Sequence, residues 1–221
     1  MDIIFKKLAL VGDIWVLWML VGASVLSLAI MFERWLAFKK QKINFPLFLN
    51  ELRKQLENND LIHARKIAKN FHCVESEVVC VGLSHFKKGP FSMEQAMLSH
   101  LTYERNRMEH NLMILNTLGN NAPFIGLFGT VLGIIKAFDD LALSGSAGVS
   151  VVMTGISSAL IATAFGIFVA IPAVMANNYF QTRIRRMHSH AQTLIHLLQA
   201  YSKNEGSLIL TKQLQAESAI N

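Results

Sequence analysis

The chain has 221 residues, of which 52% are hydrophobic and 16% charged, and it carries a formal net charge of +6. That balance is apolar for a soluble domain, and no basic patch interleaved with aromatics argues for a nucleic-acid partner. There is no nucleophile elbow, phosphate-binding loop or metal-ligand spacing, so the sequence points to no enzyme, no cofactor and no metal.

The first element is residues 14–32, "IWVLWMLVGASVLSLAIMF", which holds no charged side chain. About 19 helical residues suffice to cross roughly 30 Å of hydrocarbon. Lys6 and Lys7 precede it as in a secretory signal, but the apolar run is long, and "FERWLAFKKQK" stands where a small-residue cleavage site would be. An uncleaved anchor is expected, behind a short outer N-terminus over residues 1–13.

Residues 33–110 read as a cytoplasmic helical region. "INFPLFLNELRKQLENNDLIHARKIAKNF" predicts two short helices broken at Asn58, Asn59 and Asp60, with Phe48, Leu49, Leu52 and Leu56 on one face of the first. A further helix through "SEVVCVGLSHFKK" should stop at Gly89 and Pro90. Ser92 and Gln95 form a candidate capping box, so a long helix is expected from near Met93 into the second span. Cys73 and Cys80 lack metal-site spacing and are expected to be reduced packing residues.

The second span is assigned to residues 111–138, the connecting loop to 139–148 and the third span to 149–180, leaving 181–221 as a C-terminal helix and tail. Ile184, Met187, Ala191, Leu194, Leu198 and Tyr201 recur every three or four residues, which predicts that the third span continues as a one-sided amphipathic helix. The tail from Gly206 carries no pattern.

Orientation follows from the basic residues. Residues 33–110 hold 13 Lys and Arg against 9 acids, and residues 181–221 hold 5 against 2. With three spans both regions fall on one side, which the positive-inside rule makes the cytoplasm. The N-terminus and the 139–148 loop are then outside, and the C-terminus is inside.

The second and third spans are unusually lean. Gly119, Ala122, Gly126, Gly129, Gly133 and Ala137 form one small-residue stripe, and Gly155, Ala159, Ala162, Gly166, Ala170 and Ala173 form another. In lipid such stripes permit close backbone approach, either between these two spans or across subunits. They do not account for Asn120, Asn121, Thr130, Thr154, Ser157, Ser158 and Thr163. Polar groups at membrane depth face a helix interface or a watery cavity, or bond back to their own helix.

"NAPFIGLFGTVLGIIKAF" and "GISSALIATAFGIFVAIPAVMANNYF" resemble the two signature spans of the ExbB/TolQ family, and "YERNRMEHNLMILNTLG" resembles its lead-in helix. The resemblance covers residues 103–138 and 153–180. It implies an all-α integral membrane protein of the bacterial inner membrane with three transmembrane helices, forming a ring, typically a homopentamer, whose second and third spans line a pore. It further implies an ExbD/TolR-like single-span partner that supplies the membrane aspartate, and a TonB-like or TolA-like energy transducer. By motif position Thr130 and Thr163 match pore-facing threonines. Ser158 stands where glutamate is usual, and Asn177 where tyrosine is common. "FERWLAFKK" favours an ExbB-like role in energising outer-membrane transport; the alternatives are a TolQ-like subunit and a ring scaffold that conducts nothing.

Overall fold

The computed structural model describes residues 14–39, 43–144 and 148–218. Among them are six α-helices: α1 (Ile14–Lys39), α2 (Phe45–Glu57), α3 (Leu61–Lys69), α4 (Val74–His85), α5 (Pro90–Ser144) and α6 (Gly148–Ser218), with a 3-10 turn at Phe86–Lys88. The chain divides into two compact units. One comprises the described parts of Met1–Arg34 and Asn111–Phe180, and the other those of Trp35–His110 and Gln181–Asn221. Two described helices, Ile14–Lys39 and Gly148–Lys203, are long and apolar enough to cross a membrane.

The first unit packs α1 and the adjoining stretches of α5 and α6 around Val16, Leu20, Ala122, Leu132, Val169 and Ala170. Trp15 meets Phe128 edge-on with ring centroids 6.1 Å apart. Around this small core the outer surface is itself apolar, with Trp18, Phe124, Phe168 and Met175 all exposed. Water does not favour such a surface; hydrocarbon does. Pro123 lies inside α5 and Pro172 inside α6 without ending either helix.

The second unit is a helical bundle with a conventional interior. Phe48, Leu52 and Leu56 of α2 are buried, as are Ala64 and Ala68 of α3. They join Met93, Met97 and Leu101 of α5 and Ile184, Ala191, Leu194 and Leu198 of α6, all at most 1% exposed. The amphipathic stripe of α6 therefore packs within its own chain. Tyr201, at its end, donates to Glu57 Oε1 at 3.3 Å. Glu75 is a buried carboxylate; His190 Nδ1 lies 3.5 Å from it, and the His190 ring stacks on Phe45 at 3.9 Å.

Local chemistry sets the helix ends. Asp60 accepts from the backbone N–H of His63 at 2.9 Å, capping α3, and that bond holds its carboxyl below the usual carboxylate range. The break at Asn58, Asn59 and Asp60 falls where the sequence placed it, with Asn59 at φ 54°.

Two boundaries differ from expectation. α5 begins at Pro90 rather than near Met93, because proline's fixed φ suits the first helical position and Gly89 supplies a φ of 95° just before it. Ser92 is thus already helical and does not cap. The connection expected over 139–148 is helical through Ser144 and again from Gly148; residues 145–147 lie outside the described residues, as does the expected outer N-terminus at 1–13. The unpatterned tail continues α6 to Ser218.

Gly89, at φ 95° and ψ 160°, occupies a region that is essentially glycine-only. Gly89→Ala should destabilise the second unit by about 1–3 kcal/mol, since a Cβ there meets no neighbour but strains the backbone. A thermal midpoint unchanged from the parent chain would show that the turn relaxes freely.

Candidate functional site

The site is built by close approach of α5 and α6 in the first unit. A Cβ added at Gly126 would lie 2.7 Å from the Ala162 carbonyl oxygen, and one at Gly166 would lie 2.6 Å from the Ala122 carbonyl oxygen. A Cβ at Gly129 would meet the Ala162 methyl at 2.8 Å, at Gly133 the Ala159 methyl at 2.6 Å, and at Gly155 the Ala137 methyl at 2.6 Å. The two lean stripes therefore face each other within one chain. These surfaces are filled and are not presented to a neighbouring subunit.

Near contact of the backbones brings two hydroxyls together. Thr130 Oγ1 donates to the Gly126 carbonyl at 3.1 Å and is hydrogen-bonded to Thr163 Oγ1 across the helix pair. Thr130 is buried, and Thr163 is half-buried. Thr130 can back-bond its own helix because Gly126 stands one turn earlier, and Thr163 stands three residues before Gly166, where the helices touch.

Ser158 is not part of this pair. It is exposed and lines an open cavity of about 370 Å³ with Lys136, Asp140, Ser150 and Thr154. Five residues separate it from Thr163, about 7.5 Å along a helix. Several of the other polar groups bond back to their own helices: Thr117 to the Met113 carbonyl, Asn121 to the Thr117 carbonyl and Thr154 to the Ser150 carbonyl, each at 2.9 Å.

A second polar contact was not legible as a pair. Asn177 Nδ2 donates to Asn116 Oδ1 at 3.3 Å, and Asn177 Oδ1 is buried without a hydrogen-bond partner. The asparagine in place of tyrosine marked Asn177, but Asn116 carried no signal of its own. Asn111 Nδ2 donates to Glu33 Oε2 on α1 at 2.8 Å.

From Asn111 to Ile135 and from Leu141 to Thr182 there is no Asp, Glu, Lys, Arg or His. Those two stretches can order water and accept or donate hydrogen bonds, but they hold no group that carries a proton as charge near neutral pH.

The model of the MotA/TolQ/ExbB proton channel family matches residues 70–193, more than half of the chain and inclusive of both threonines. A Tol-Pal system protein TolQ from Haemophilus influenzae is 31% identical over 194 residues, covering 82% of this chain and 84% of that protein. The chain belongs to the MotA/TolQ/ExbB proton channel family. Its family is thus one of proton channels rather than of enzymes. Higher identity is local: 46% over 89 residues to a TolQ from Pseudomonas aeruginosa, and 42% over 88 residues to a biopolymer transport protein ExbB from Xanthomonas campestris. Those two alignments span only 38% and 35% of the respective relatives.

Proposed function

We infer that this chain is the ring-forming subunit of a proton-driven motor in the bacterial inner membrane. The observation that carries the reading is the hydrogen-bonded pair of buried Thr130 and half-buried Thr163, set in two stretches, 111–135 and 141–182, that hold no ionisable side chain. Such a chain needs its proton carrier from outside. A carboxylate in the membrane is costly unless it faces a polar lumen, so the carrier is assigned to the aspartate of an ExbD/TolR-like single-span partner.

On this reading residues 14–32, 111–138 and 149–180 are three spans, with the N-terminus periplasmic and the C-terminus cytoplasmic. The basic excess of residues 33–110 and 181–221 supports that orientation. The packing of glycines in the stretch of α5 from 111 against α6 supports reading that stretch as the second span. Copies assemble as a homopentamer. With the lean stripes used inside the chain, the apolar outer faces bearing Phe124, Leu127, Phe168 and Ile171 are the surfaces left for neighbours and lipid. Thr163 faces the lumen beside Thr130, and Ser158 lies further along the same helix.

"FERWLAFKK" favours an ExbB-like subunit that energises TonB-dependent transport. A TolQ-like role with a TolA-like transducer is the second reading, and the alignment over 84% of the Haemophilus TolQ favours it. Reconstituted in vesicles under a proton gradient, the chain alone should conduct negligibly, and co-expression with a one-span partner should switch on flux. Absence of flux with either an ExbD-like or a TolR-like partner would leave a static ring scaffold.

A further inference from the structure

The second unit contains a group of side chains that the motor reading does not use. Glu77 on α4 and His100 and Glu104 on α5 each present a ligand atom, all within 4.8 Å of one another. His100 and Glu104 are four residues apart, so they share one helix face, and Glu77 reaches them from the neighbouring helix. The Glu104 side chain is only 3% exposed.

One of these atoms lacks what burial demands: His100 Nε2 is shielded from solvent and has no hydrogen-bond partner. The Glu77 carboxylate lies 3.4 Å from His100 Nε2, beyond good hydrogen-bond length. Arg107 Nη2 comes within 2.8 Å of Glu104 Oε2 as an ion pair, but the Arg107 side chain is 61% exposed and can turn outward. A cation between the three groups would satisfy His100 Nε2 and take over the buried Glu104 carboxylate when Arg107 turns away.

We propose that Glu77, His100 and Glu104 form a binding site for a divalent transition-metal ion of the Zn(II) type. One imidazole and two carboxylates suit such an ion, and the two carboxylate charges balance it. Ligand atoms around a tetrahedral ion with bonds of about 2.0–2.1 Å stand roughly 3.4 Å apart. The His100 to Glu77 separation already has that value, and the Glu104 ligand atom lies within 4.8 Å of both. An open cavity of about 360 Å³, lined by Phe71, His72, Glu77, Cys80 and His100, gives the ion a path from solvent and room for a water as fourth ligand. The sequence concealed the set because its members come from two helices, 27 residues apart at the extremes, with no cysteine or histidine pair at ligand spacing. Bound metal would clamp α4 to α5.

The test uses the full-length chain in detergent, stripped with chelator, titrated with Co(II) by visible absorption and with Zn(II) by calorimetry. It reads binding and not flux, so its outcome is separate from that of the motor reading. One equivalent per chain should bind with the absorption bands of four-coordinate Co(II). Loss of a direct ligand should cost at least as much as loss of an outer-shell partner, so His100→Gln and Glu77→Gln should each weaken binding by roughly a hundredfold or more. Glu77 is half exposed, so its variant tests the site even if His100→Gln fails to fold. Glu94→Gln, in the same unit but outside the site, should bind as the parent does. Substoichiometric binding, or binding that Glu77→Gln leaves unchanged, would assign the metal to surface histidines and overturn the proposal.

Discussion

Gly166→Leu and Gly126→Leu will prevent the first unit from packing, whereas Gly22→Leu will leave it intact. The obstacles at Gly166 are the Ala122 carbonyl oxygen at 2.6 Å and the Gly126 Cα at 3.1 Å from an added Cβ. Both belong to backbone, which cannot swing aside as a flexible side chain can. Overpacking in an ordinary core costs about 1–3 kcal/mol, and a leucine adds three more carbons to a Cβ that already overlaps. The penalty should therefore reach about 3 kcal/mol or more. Nothing in lipid offsets it, because tight van der Waals contact is what holds these helices together. Gly22 is the control: a Cβ there meets nothing within 4 Å. Yield of monodisperse chain and thermal midpoint in mild detergent provide the readout. Parent-like values for Gly166→Leu would mean that the helix pair does not pack this way.

The glycine spacing made close packing legible, but not the partner. Periodicity locates a stripe on one helix, and either the other span or a second subunit could fill it. Only the facing pairs, Gly133 with Ala159 and Gly155 with Ala137, assign it to the chain's own helices. The helices of the second unit were readable for a different reason. Phe48, Leu52 and Leu56 repeat on a polar background, and Asp60 is a local cap acting within three residues. At the start of α5 two adjacent signals compete, and the Gly89 and Pro90 pair outranks the Ser92 box. The Asn116 to Asn177 contact and the group formed by Glu77, His100 and Glu104 were hidden from the sequence altogether. Each joins residues on different helices whose local patterns are unremarkable.

Thr130→Val and Thr163→Val should each destabilise the chain, while the double variant should be nearly as stable as the parent and fail in coupled flux. Valine keeps the shape of threonine and deletes one hydroxyl. A single replacement strips the remaining hydroxyl of its partner across the helices, at a cost of about 1 kcal/mol or somewhat more. Replacing both members removes the unmet demand along with the bond, so the double variant should cost less than the sum of the singles. Stability and function then separate. If the pair only packs, the double variant should conduct as well as the parent. If Thr163, half-buried beside Thr130, orders water or receives a hydrogen bond from a partner's acid, the double variant should assemble and lose activity. Losing one such hydrogen bond in the rate-limiting step, worth about 1–1.5 kcal/mol, corresponds to roughly a tenfold slower flux. Ser158→Ala should do less, because Ser158 lies apart from the pair on the cavity with Lys136 and Asp140. Full flux in the double variant, with the ring intact by native mass measurement, would remove both threonines from the proton path.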